Sequence, residues 1–141
     1  MRQGFTLIEL LIVLALLAII LAFSAPVALS HYQAYVFISE RDEFLSLLRR
    51  ARTLSLANRN SQPHGLYIDA ASYIIFEGSD YLNRNPAYDE IFPRAQGIDI
   101  SGPTEIVFAP LSAASAGGNI TLSYGDQSVN FKINTAGGIT W

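Results

Sequence analysis

The chain contains no cysteine, which excludes disulfides, thiolate metal sites and cysteine nucleophiles together. That absence sets no redox compartment, because a chain without thiols is stable in either. Charge is also sparse: 15% of the 141 residues are charged, and the formal net charge is −3. No strong basic field advertises nucleic-acid binding. Histidine is limited to His31 and His64, which are widely separated, so no nucleophile–base pair or metal-ligand spacing emerges. Asp89-Glu90 reads as a solvated acidic pair in a loop, since a calcium site needs more oxygen ligands at defined spacing. Gly117-Gly118 precedes a strand pattern rather than a helix, so it is no phosphate cradle. Asn119-Ile120-Thr121 matches a glycosylation sequon and is read as chance. The expectation is therefore a protein without catalytic residues, metal or cofactor, and not an enzyme.

Half of the residues are hydrophobic, and that excess is local. Leu10–Leu29 reads LLIVLALLAIILAFSAPVAL, twenty residues without a charge. At about 1.5 Å per residue a helix of that length covers a bilayer's hydrocarbon core. A domain this small cannot surround such a helix on every side, so a membrane span is expected rather than a core helix. Pro26 lies inside the run and removes a backbone donor, which predicts a kink. Membrane helices tolerate such kinks. The segment ahead of the span is only Met1-Arg2-Gln3-Gly4, unlike a secretory signal, whose cleavage site follows the apolar stretch. Arg2 places that end in the cytoplasm by the positive-inside rule.

Gly4-Phe5-Thr6-Leu7-Ile8-Glu9, in register with the span, resembles the type IV prepilin cleavage and methylation motif. The resemblance implies that a prepilin peptidase cuts between Gly4 and Phe5 on the cytoplasmic side and N-methylates Phe5. The apolar helix then stays with the mature protein. It also implies that Glu9 serves filament assembly, and that the region around Pro26 bends or melts as subunits assemble. Independently, a carboxylate beside a membrane span is costly and seeks a cation. Once Phe5 is exposed, the ammonium of a neighbouring subunit's Phe5 supplies one. The bland alternative for Glu9 is a headgroup-level glutamate.

Beyond the span, Tyr32 and Tyr35 suit an interfacial aromatic belt, and His31 reads as an interfacial polar residue. The helix is expected to reach about Asn58. Phe44, Leu47, Leu48, Ala51, Leu54 and Ser55 recur at steps of three and four and form one apolar stripe. Arg41, Arg49, Arg50, Arg52 and Arg59 fall largely elsewhere; a solvated face is favoured over an anion site. After Pro63 the period becomes two. Leu66–Ile68 and Tyr73–Phe76 read as a hairpin around Asp69–Ser72. Ile98 and Ile100 are expected to pair with Ile106 and Phe108 around Gly102-Pro103. Ile120–Tyr124 and Val129–Ile133 read as a hairpin turning at Gly125-Asp126. Ile139–Trp141 reads as a last short strand, residues 78–96 as a long surface loop, and Ala113–Gly118 as a small-residue loop.

The expected organisation is a leader at 1–4, a transmembrane and filament-core helix at 5–30, an amphipathic continuation at 31–60 and an antiparallel β domain at 61–141. The fold class is α+β, a long N-terminal helix packed on antiparallel sheets, pilin-like. The segments Phe44…Leu48-Arg49-Arg50-Ala51-Arg52…Ala57, Tyr73…Phe76 and Phe131-Lys132-Ile133-Asn134…Gly137-Gly138-Ile139 resemble GspH/FimT-type minor pilins and pseudopilins. That resemblance implies a low-abundance subunit near the tip of a type II secretion pseudopilus or a type IV pilus. Its partners would be prepilin peptidase, other pilins or pseudopilins, an inner-membrane assembly platform and membrane lipid. Its place would be the bacterial inner membrane, single-pass, with the N-terminus cytoplasmic and the C-terminal domain periplasmic, and later the filament. Two alternatives stay open, a pilus DNA receptor in transformation and a major pilin. Beyond residue 60 eight acidic side chains face three basic ones, which disfavours nucleic acid. Many major pilins close a C-terminal loop with a disulfide that this chain lacks.

Overall fold

The structure, a computed structural model, describes residues 4–141, except the side chains of residues 23–30. The chain divides into two compact units, Met1–Tyr35 and Val36–Trp141. One helix, α1, covers Leu7–Leu56 and contributes to both. Eight strands follow in the second unit: β1 (His64–Ile68), β2 (Ser72–Glu77), β3 (Glu90–Pro93), β4 (Asp99–Ser101), β5 (Glu105–Phe108), β6 (Gly118–Tyr124), β7 (Gln127–Ile133) and β8 (Ile139–Thr140). They form two four-stranded antiparallel sheets, ordered β3-β2-β1-β5 and β4-β6-β7-β8. This is the α+β architecture the sequence implies.

In the second unit α1 buries Phe37, Glu40, Phe44, Leu47, Leu48, Ala51 and Ser55, the three-and-four spacing of one helix face. That face meets Leu66, Ile68, Tyr73, Ile75, Ile106 and Phe108 of the first sheet in one core. Ile120, Leu122, Phe131 and Ile133 of the second sheet complete it. Phe44 joins the two sheets: its ring centroid lies 5.4 Å from Tyr73 and 5.1 Å from Phe131. α1 stops at Leu56, two residues before the expected Asn58, which adopts the left-handed conformation at φ 52°.

The β1–β2 and β6–β7 hairpins match the sequence reading, with Asp69 N–H donating to Ser72 O at 2.9 Å in the first turn. In the second, Gly125 takes φ 59° and Tyr124 pairs with Gln127, leaving the two expected turn residues. The pairing expected around Gly102-Pro103 is not formed. β4 pairs with β6 in one sheet, and β5 pairs with β1 in the other. The connection runs hard against β6: a Cβ on Gly102 would sit 2.3 Å from Asn119 O.

The segment 78–96 is also more ordered than a surface loop. It contains a 3-10 turn at Pro86–Tyr88, capped by the Asn85 side chain, and the edge strand β3. Its first part covers the outer face of the first sheet. Tyr81 stacks on Tyr67 at 3.6 Å and meets Phe76 edge-on at 5.7 Å. This cover explains why Ile74, Ile75 and Phe76 are all buried although neighbouring strand residues point to opposite faces. Beneath it, Gly65 lies so close to the Phe76 ring that a Cβ there would be 2.5 Å from Cζ.

Candidate functional site at the start of the chain

Gly4, Phe5 and Thr6 precede the helix, and α1 begins at Leu7. Thr6 is its N-cap: its Oγ1 accepts the Glu9 N–H at 3.3 Å, and its carbonyl accepts the Leu10 N–H at 3.2 Å. Glu9 thereby occupies the third helical position, in the first turn, where the helix dipole favours a negative charge. Threonine followed three residues later by glutamate is a capping-box pattern, and Thr6-Leu7-Ile8-Glu9 carried that signal in the sequence. The cap role of Thr6 was not anticipated.

The described side chains from Gly4 to Ala22 are all exposed, Phe5 at 85% and Leu7 at 79% among them. An apolar surface this continuous is foreign to a protein bathed only in water, and it marks an interaction surface. A Cβ at Gly4 would meet nothing within 4 Å, so the fold itself places no demand for glycine there. The kink expected at Pro26 falls among residues 23–30 and lies outside the described side chains, as Met1, Arg2 and Gln3 lie outside the described residues. Among the described residues, no helix is long and apolar enough to cross a membrane.

Among the described residues, the rest of the chain brings together no competing site of the kinds considered in the sequence. His31 is exposed and His64 is buried, and among the described residues no His, Asp and Glu group is placed to hold a metal. Asp89 and Glu90, read as a solvated pair, are engaged. Arg84 Nε donates to both Asp89 oxygens, at 2.8 and 3.1 Å, and this bond raises the Arg84 pKa. Glu90 takes Arg50 at 2.8 Å and Arg59 at 3.7 Å, clamping the end of α1 to β3. Arg84 also lies over Tyr81 at 3.7 Å, so that ring has Tyr67 and a guanidinium as neighbours. Arg49 lies over the Trp141 ring at 4.8 Å, and Arg41 pairs with Asp42 at 2.7 Å. These cations are already matched to acids or rings, which removes much of the basic surface a phosphate backbone requires.

Glu40 is a further buried group that the sequence reading left without a role. It lies on the apolar stripe of α1, 4% exposed. Its position between Phe37 and Phe44 at helical spacing was the available signal.

Residues 1–25 match the family model described as the prokaryotic N-terminal methylation motif. No curated protein and no solved structure matches the chain. The matched segment covers the capped helix start and the exposed apolar turns, and it supports a type IV pilin-like precursor. Proteins carrying that motif are structural filament subunits rather than enzymes. The motif implies processing by prepilin peptidase, insertion in a membrane and assembly with other pilins.

Proposed function

We propose that the chain is a minor pseudopilin or pilin, cut between Gly4 and Phe5, N-methylated on Phe5 and built into a helical filament. The observation that carries this reading is the methylation motif at residues 1–25. The leader then comprises residues 1–4. The uncharged run Leu10–Leu29 serves first as a single inner-membrane anchor and then as filament core. In that setting Arg2 keeps the N-terminus cytoplasmic, and the β-rich part lies on the other side. Pro26 supplies a weak point where the helix bends during the transfer.

Glu9 is the residue assigned to docking. Inside lipid or a filament core an unpaired carboxylate is costly, and the free amino group of a neighbouring subunit's Phe5 offers the opposite charge at the same depth. Placement as a GspH/FimT-type subunit near the tip of a secretion pseudopilus or a pilus rests on the resemblance of 44–57, 73–76 and 131–139. A structural subunit is preferred to a DNA receptor, because Arg41, Arg49, Arg50, Arg59 and Arg84 are engaged by carboxylates or rings.

Mass spectrometry of protein from a host with active prepilin peptidase tests the processing. The expected product has lost Met1–Gly4 and gained one methyl group on Phe5. An intact N-terminus there overturns the reading. Gly4→Val is expected to block cleavage without disturbing the fold, since the space around Gly4 is open.

A further inference from the structure

We propose that His64, Glu77 and Asn60 form a proton-operated latch over the connection between α1 and β1, closed at neutral pH and opened locally by mild acid. The connection is strained. Asn58, Asn60 and Ser61 take positive φ values of 52°, 53° and 56°, a region that costs energy for residues other than glycine. Side chains hold it in place. Asn60 Nδ2 donates to Glu77 Oε2 at 2.6 Å, and His64 Nδ1 lies 3.1 Å from Gln62 O. Ser55 Oγ accepts the His64 N–H at 2.9 Å and donates to Phe108 O at 2.9 Å, so the backbone of β1 stays anchored while the turn beside it moves.

A carbonyl only accepts, so Nδ1 carries the imidazole proton. Nε2 then turns its lone pair toward Glu77 Oε2, 3.6 Å away and beyond hydrogen-bond range. The two side chains are 4% and 7% exposed. The closed latch therefore holds a neutral ring in a dry place. Burial pulls the His64 pKa below its ordinary value, and Arg59 adds to that. Glu77, the Gln62 carbonyl and Glu90 pull the other way without reversing it. Opening the turn returns the ring to water, where the ordinary value applies. A proton thus binds the open form more tightly than the closed one and shifts the population toward it. The strain released in the turn lowers the cost of opening at every pH alike. The proposal does not depend on the filament reading.

The test is hydrogen exchange at the Ser61 and Gln62 amides, which donate to Asn58 O and Arg59 O in the closed turn. The full chain in detergent micelles is used, with rates corrected for intrinsic exchange. Opening should be independent of pH near neutrality. It should then rise by up to about tenfold per pH unit below roughly pH 6.5. His64→Asn keeps a side-chain N–H near the Nδ1 position and removes the titration, so its exchange should stay flat. Glu77→Gln removes the carboxylate that pulls the closed ring's pKa upward, so the onset should stay where it is and the rise should continue to lower pH before levelling off. Three results overturn the latch: an equal slope in His64→Asn, a rise that levels off no lower in Glu77→Gln than in the wild type, or protection that grows in acid. Should His64→Asn fail to fold, the pH at which the rise levels off in Glu77→Gln and an NMR titration of the His64 ring in the wild type decide, since the rise must level off where the closed ring titrates.

Discussion

The phenolic hydroxyl of Tyr73 donates to Glu40 Oε1 at 2.7 Å, with both side chains buried. The second carboxylate oxygen, Oε2, accepts the Ala95 N–H at 3.1 Å. One glutamate on α1 thus holds β2 and the connection from β3 to β4. Burial and the neighbouring Glu40 push the Tyr73 pKa far up, so its hydroxyl remains a donor at every working pH. Glu43, one turn on, has its pKa raised by burial and then by Glu40. A buried carboxylate is tolerated here because its oxygens are hydrogen-bonded.

Tyr73→Phe should destabilise the fold by about 1–3 kcal/mol, because it strips one of these bonds from a buried charged group. Glu40→Gln keeps an acceptor and removes the charge, so its cost should be smaller. In urea denaturation the double variant should lose less than the two single losses together, as expected for groups in direct contact. Strict additivity would show that the hydroxyl and the carboxylate act separately.

Gly65→Ala should cost about 1–3 kcal/mol through overpacking, since the new methyl group collides with the Phe76 ring. Phe76→Leu in the same chain makes room and should recover part of the loss. A neutral Gly65→Ala in thermal denaturation would mean that the ring moves freely, against its complete burial.

The stability of the fold should fall in mild acid, and His64 gives the sign. Its folded pKa is depressed below the unfolded value of about 6.5. The folded state therefore binds fewer protons than the unfolded one in that window. The contribution is complete above about pH 6.5 and is lost as pH falls through the lowered folded value. Glu43 acts oppositely, and only near its own raised value above 4.5. A scan of melting temperature from pH 7.5 down to about 5 should decline in the wild type and flatten in His64→Asn.

Thr6→Ala removes the side-chain acceptor of the Glu9 amide and should cost about 0.5–2 kcal/mol of local helix stability. Faster exchange of the Glu9 amide reports it, and Thr6→Ser should restore protection. Unchanged exchange in Thr6→Ala would mean that the cap contributes nothing.

Glu9→Gln keeps the shape and removes the charge. Under the proposed function it should leave cleavage and membrane insertion intact and lower incorporation into filaments. Glu9→Asp, one methylene shorter, should fall between. Cross-linking to partner pilins in membranes measures this. Equal incorporation of wild type and Glu9→Gln would reduce Glu9 to the headgroup-level residue of the bland alternative, stabilised by its place in the first helical turn.

What was legible in the sequence is what depends on near neighbours. The stripe of Phe44, Leu47, Leu48 and Ala51 follows from 3.6 residues per turn, and Ser55 continues it. The β6–β7 hairpin follows from two alternating runs joined by Gly125-Asp126, since a two-residue turn leaves one register. The methylation motif and the uncharged run are likewise contiguous. The tertiary structure alone decided which strand β4 and β5 would choose, because alternation says which face a residue takes and nothing about its neighbour across the sheet. It also decided that residues 78–96 would form a cover and an edge strand, that Glu90 would clamp Arg50 and Arg59, and that Glu40 and His64 would be buried with Tyr73 and Glu77. Those pairs join groups 13 to 40 residues apart, closer than 4 Å in space. Hydrogen bonds and ion pairs of that reach act only after the chain has closed, so no local pattern records them.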